Sequence, residues 1–179
     1  MRFAATLAFL AIFLFNNPLR AQDAKKGSED LTIAGTKIVM KTPEIWKKVP
    51  PKNNMIDNEF RFPAEGDEFV RLTISRSGGT IDQNLSRWKG QFAGLKEADS
   101  KVEKKEIAKL PVHVFEATGT YSEMNFGGGP PKKFENYTMI GIIIETGTGA
   151  NAYIKATGPK DLVAKTKDAM MKMVEGLKN

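Results

Sequence analysis

The sequence predicts an α+β domain: an antiparallel sheet of about six or seven strands covered by helices on its faces. Three observations carry this. First, "YTMIGIIIET" (137–146) is apolar on both faces, with Tyr137, Met139 and Ile143 on one and Ile140, Ile142 and Ile144 on the other. A strand of that kind lies centrally in a sheet covered on both sides. Second, "EFVRLTIS" alternates, Val70, Leu72 and Ile74 against Arg71, Thr73 and Ser75, and short connections favour antiparallel neighbours. Third, two amphipathic segments, one in the middle and one at the end of the chain, could supply the cover.

The N-terminus reads first. One basic residue, an apolar run from Phe3 to Phe15, and a polar stretch with Pro18 make the three parts of a secretory signal peptide. The run is too short to cross a bilayer as a helix, which needs roughly 20 residues. Cleavage is expected after Ala21, which leaves 158 of the 179 residues, enough for one domain with a proper core. Residues 22–30 read as a flexible leader and 31–179 as a single α/β sandwich domain. There is no cysteine, so an exported chain must be held by packing alone, and thiol catalysis, thiolate metal sites and a lipid-anchored cysteine are excluded. Lys and Arg number 27 against 21 Asp and Glu, and losing Arg2 and Arg20 with the signal peptide lowers the balance from +6 to +4. That is a weak bias toward anionic partners and too little for a nucleic-acid binder.

"LTIAGTKIVM" is one or two short strands broken at Ala34-Gly35. "KTPEIWKKVPP" is interrupted by Pro43, Pro50 and Pro51 and makes a poor helix. "IDNEFRF" and "EFVRLTIS" form a hairpin across "PAEGD". "SGG" ends it, and Thr80 with Gln83 forms a capping box for the first helix. Ile81, Leu85, Trp88 and Phe92 lie on one stripe of that helix, with Asp82, Gln83, Asn84, Arg87 and Lys89 facing away. The apolar stripe makes it a lid on the sheet rather than a ligand cleft for Arg87 and Trp88, with Trp88 as a core anchor.

"SKVEKKEI" is a strand with a solvated face, and "AKLP" turns it into "VHVFEATGTY", where His113, Phe115, Ala117 and Tyr121 share a face. "SEMNFGGGPPKKFE" reads as a long loop. "GTGAN" is a tight turn into "AYIKAT", Pro159 suits a helix start, and Val163, Met170, Val174 and Leu177 line the last helix.

With these elements placed, the layout resembles the PsbP-like α/β/α sandwich. "IWKKVPP", "TIDQNLSRWKGQF", "EATGTY", "YTMIGIIIE" and "YIKATGPK" look like the landmarks of exported bacterial proteins of that fold, over roughly residues 33 to 178. The resemblance implies a fold, an envelope address and a tendency to bind or assist larger partners. It implies no active site.

The residues agree on chemistry. His113 is the only histidine and sits mid-strand without a Gly-x-Ser-x-Gly elbow, so a structural role is expected. Glu65, Asp67 and Glu68 lack calcium-loop spacing and read as a solvated hairpin tip. No cofactor and no metal site is expected. Asn84-Leu85-Ser86 and Asn136-Tyr137-Thr138 match the glycosylation pattern inside regular elements and read as coincidental. The expectation is a non-enzymatic exported module, monomeric, without a membrane span after cleavage, acting on a protein partner in the cell envelope. Its contact surface is the loop carrying Asn125, Phe126, Gly127, Gly128, Gly129, Lys132 and Lys133, where glycines let backbone amides approach a ligand. Lys47 and Lys48 form a second basic patch. The alternatives are a small-molecule or glycan-binding protein with a cleft between sheet and helix, with or without weak hydrolase activity, and an adaptor for anionic envelope polymers.

Overall fold

A computed structural model describes residues 28–123 and 128–179. The segment read as a signal peptide, most of the expected leader, and Asn125, Phe126 and Gly127 of the glycine-rich segment lie outside the described residues. The elements run β1 (Asp30–Thr32), β2 (Val39–Lys41), β3 (Lys47–Val49), β4 (Asn58–Phe62), β5 (Val70–Ser77), α1 (Ile81–Lys89), β6 (Phe92–Ala93), β7 (Ser100–Ile107), β8 (Leu110–Glu123), β9 (Lys132–Ile144), β10 (Asn151–Pro159) and α2 (Lys160–Glu175). β1 and β2 form a two-stranded ribbon. The remaining eight strands make one antiparallel sheet in the order β3-β4-β5-β10-β9-β8, with β6 and β7 sharing the outer edge of β8.

The doubly apolar strand is β9, and it is central, between β10 and β8. Its Ile140, Ile142 and Ile144 enter the larger core under α2 and the ribbon. Its Met139 and Ile143 enter a smaller core under α1. All five are essentially inaccessible, and each side chain of that size contributes about 1.5–3 kcal/mol by leaving water.

The two faces are covered unequally. On one, the 16-residue α2 sets Val163, Met170, Met173 and Val174 on the sheet, and the ribbon adds Leu31, Ile33, Ile38 and Met40. On the other, the one helix among the described residues is α1, nine residues long. At 1.5 Å per residue it spans about 14 Å, whereas six strands at about 4.8 Å spacing stretch over about 24 Å. It therefore covers β8, β9 and one end of β10 and leaves β5 and its neighbours open.

α1 begins as its residues dictate. The Thr80 hydroxyl accepts from the Gln83 amide (3.2 Å) and the Gln83 side chain accepts from the Thr80 amide (3.0 Å). Trp88 seats the helix by lying directly on Gly141 of β9, where no side chain intervenes.

Three expectations change. Asn84 is not solvated: it is 3% exposed, its amide donating to the carbonyls of Thr80 (2.9 Å) and Gly78 (3.3 Å), which ties the helix to the turn before it. Phe92 has left the helix for β6, though it still packs with Trp88. Glu29 and Asp30 are not loose leader: Asp30 opens β1, and the Glu29 backbone exchanges hydrogen bonds with the Thr42 hydroxyl at 3.1 and 2.9 Å.

Candidate functional site

The uncovered half of the sheet carries a groove of about 640 Å³. Register builds its floor. Ser75 lies opposite Tyr153 and Thr73 opposite Lys155 on the paired strands β5 and β10, so their side chains share the face beside α1. Asn84, Arg87, Trp88 and Gln91 form one wall and the segment Asn53 to Asp57 the other. Four basic side chains line it, Arg71, Arg76, Arg87 and Lys155, against one acidic, Asp57.

Two of those cations are already paired. Arg71 grips Glu59 with two parallel hydrogen bonds, Nε to Oε1 at 2.7 Å and Nη2 to Oε2 at 3.0 Å. The Lys52 amide adds a third to Glu59 at 2.8 Å. Burial by itself would raise the Glu59 carboxyl pKa, but the Arg71 and Lys52 hydrogen bonds outweigh it and hold the group below its ordinary value. Arg76 reaches Asp57 at 3.4 Å. Arg87 and Lys155 have no acidic partner within ion-pair distance among the described residues.

Lys155 is the most perturbed group. Burial, then the neighbouring Arg71, push its pKa down to about 8, with Glu123 pulling weakly the other way. Two further polar atoms at this site, Gln91 Oε1 and the Tyr153 hydroxyl, are buried without a hydrogen-bond partner. Burial raises the Tyr153 pKa; the nearby Asn151 side chain offsets part of that rise without reaching hydrogen-bond geometry. An anion would answer the cations Arg87 and Lys155, and a hydroxyl-rich ligand the amides and hydroxyls of the lining.

A second hollow of about 300 Å³ meets the groove at Arg71, between Lys52, Glu59, Glu123 and Lys132 and the rings of Tyr121, Phe134 and Tyr137. Here the structure departs from the expected long loop. β8 runs on to Glu123 and β9 starts at Lys132, so Lys132 and Lys133 are strand residues paired with Glu123 and Ser122. Gly128 and Gly129 are exposed with positive φ, +84° and +94°, in the turn between the strands. Lys47 and Lys48 are neighbours on β3 with separate acidic partners, Glu65 at 2.7 Å and Glu29 at 3.5 Å. Such neighbours point to opposite faces, so they do not form one patch.

His113 lines neither hollow; it is half-buried, Nε2 2.7 Å from Glu145 Oε1. Glu65, Asp67 and Glu68 are exposed on the hairpin tip. Among the described residues no three His, Asp or Glu side chains converge to hold a metal ion, and no helix is long and apolar enough to cross a membrane.

No protein-family model and no curated protein matches the chain. Solved structures do. The solution structure of cyanobacterial PsbP from Synechocystis sp. PCC 6803 superposes with a TM-score of 0.52 at 13% identity, covering 86% of this chain and 92% of that one. The chain has the PsbP-like fold. A protein of unknown function from Pseudomonas aeruginosa, PA94, aligns at 0.48 and 15% identity over 86% of this chain and 97% of its own. LpqN, described as involved in cell envelope biogenesis of Mycobacterium tuberculosis, aligns at 0.47 and 16% identity over 79% and 82%. At such identities the likeness is one of architecture, and function must come from the site.

Within this PsbP-like sandwich, the expectation that α1 is a lid rather than a ligand cleft for Arg87 and Trp88 is corrected: Trp88 anchors the helix, and both residues line the groove. Arg71, Thr73 and Ser75 read as an ordinary solvated strand face, and no sequence pattern singled out Lys155. One signal was present: the first helix is much shorter than the sheet it must cover.

Proposed function

We propose that the protein is an exported, non-enzymatic binding module that holds an anionic ligand in the groove between α1 and the segment Asn53–Asp57. The carrying observation is that Arg87 and Lys155 face the groove without acidic partners, beside Arg71 and Arg76. A volume of about 640 Å³ lies in the range of small-ligand sites. Export rests on the N-terminal segment, whose residues have the build of a signal peptide. The sequence alternative of a ligand-binding protein with a cleft between sheet and helix thus gains over a contact confined to the glycine-rich loop.

The test is an amide NMR titration of the mature chain with citrate at low salt. Shifts should concentrate on residues 71–77, 84–91 and 151–155, fade with added salt, and weaken above pH about 8 as Lys155 loses its proton. Lys155→Met and Arg87→Ala should each reduce them. Shifts absent from the groove, or gathered instead on the exposed lysines of β7, would overturn the assignment.

A further inference from the structure

The groove does not stop at Arg71, and what lies beyond it defines the ligand more narrowly. The second hollow has an aromatic floor. Ring centroids of Phe92 and Tyr121 lie 5.5 Å apart, Tyr121 and Tyr137 6.2 Å, and Tyr137 and Phe134 4.6 Å. The planes of Tyr121 and Tyr137 differ by 5° and those of Phe134 and Tyr137 by 25°. Phe134 and Tyr137 are partly exposed, and Lys132 Nζ stands 4.9 Å from the Phe134 ring.

This platform exists because β9 carries an extra residue. Gly119 pairs with Tyr137 and Tyr121 with Phe134, so two steps on β8 answer three on β9, and Asn136 takes φ +54°. Without the bulge, Phe134 and Tyr137, three apart, would point to opposite faces. With it, both join Tyr121 on the open face.

The trough therefore offers cations (Arg71, Arg87, Lys155), amides and hydroxyls set among them (Asn53, Asn54, Thr73, Ser75, Gln91), and a ring-lined end beyond Arg71. An extended peptide would seek unpaired backbone, but the floor strands β5, β10 and β9 are each paired on both sides, so no edge is free for strand addition. Sugars suit all three parts. Their hydroxyls both donate and accept, and their C–H faces carry the slight positive charge that an aromatic face attracts.

We propose that the trough binds a negatively charged saccharide chain, with acid groups at Arg87 and Lys155 and a sugar ring against Tyr137 and Phe134. This rests on the anion-binding function proposed above and names its ligand class.

The experiment is titration calorimetry at low salt with hexagalacturonate, a heparin hexasaccharide, galacturonate monomer, maltohexaose and citrate. At least one acidic hexamer should bind about tenfold or more tighter than the monomer and than neutral maltohexaose, the size expected when charged hydrogen bonds are added. Lys155→Met with Arg87→Ala should weaken it by a further factor of about ten or more. Tyr137→Ala should weaken the hexamer and leave citrate unchanged, and Phe134→Ala repeats that comparison should Tyr137→Ala fail to fold. Acidic hexamers no tighter than maltohexaose, or a hexamer affinity indifferent to both ring substitutions, would overturn the chain proposal. If citrate still binds in that case, the anion groove stands alone. If citrate also fails to bind, both fall.

Discussion

Gly141→Ala is a one-carbon change that the seat of α1 should not tolerate. A Cβ at Gly141 would lie 2.6 Å from Trp88 Cε3 and 2.8 Å from Cη2, with Cζ3 in contact as well. Ordinary carbon contacts begin near 3.5 Å, so the indole must move by close to an ångström. It has little room: Trp88 is 7% exposed and packs against Phe115 and Tyr153, both with centroids at 6.0 Å. Overpacking of this kind costs about 1–3 kcal/mol. For a domain of this size that is a fall in melting temperature of roughly 2–12 °C. Urea unfolding followed by circular dichroism, with calorimetry for the melting temperature, reads it directly. The decisive control is Trp88→Leu, which removes the ring that the new methyl strikes. In that background Gly141→Ala should cost much less, a coupling well above the roughly 0.5 kcal/mol scatter of independent sites. Strict additivity, or a Gly141→Ala protein as stable as the parent, would refute the account of how α1 is seated.

Lys155 sets a pH dependence. Its folded pKa, about 8, lies below the ordinary value of 10.5, so between those values the unfolded chain holds more protons and stability rises with pH. Lys155→Met should be more stable than the parent at neutral pH and lack that rise in denaturant titrations from pH 7.5 to 9.5; a parallel profile would remove Lys155 as its cause. Tyr121, its pKa raised to about 12 by burial, acts oppositely and only above about pH 10, so the windows separate. Glu59→Gln should lose about 1.5–3 kcal/mol at pH 7, because Arg71 exchanges a charged bidentate partner for a neutral one and keeps only Glu123 among the described residues, at 3.9 Å. Because the folded carboxyl pKa is lowered, that contribution is complete above the ordinary value of 4.5 and disappears as pH falls through the folded pKa, so parent and variant should converge in acid.

Local chemistry was legible wherever neighbours in sequence are also neighbours in space. The Thr80–Gln83 capping box and the β4–β5 hairpin needed only adjacent residues. The two-faced apolar run of β9 needed only alternation. Asn84 was misread because its partners are the carbonyls of the preceding turn, and no stripe pattern shows a buried amide satisfied at short range. Lys132 and Lys133 were assigned to a loop because three glycines and two prolines precede them, whereas their pairing with Glu123 and Ser122 extends the sheet past that signal.

The sequence alone determined an α+β sandwich with a central strand buried on both sides, a core without disulfides, and the lid role of α1. Those follow from periodicity and composition, which are local properties of the chain. The tertiary structure decided that the lid is too short, that Lys155 and Arg87 meet over the exposed floor, and that a bulge at Asn136 turns two rings toward the same side. These depend on register between strands far apart in the chain, and a shift of one residue reverses which face a side chain occupies.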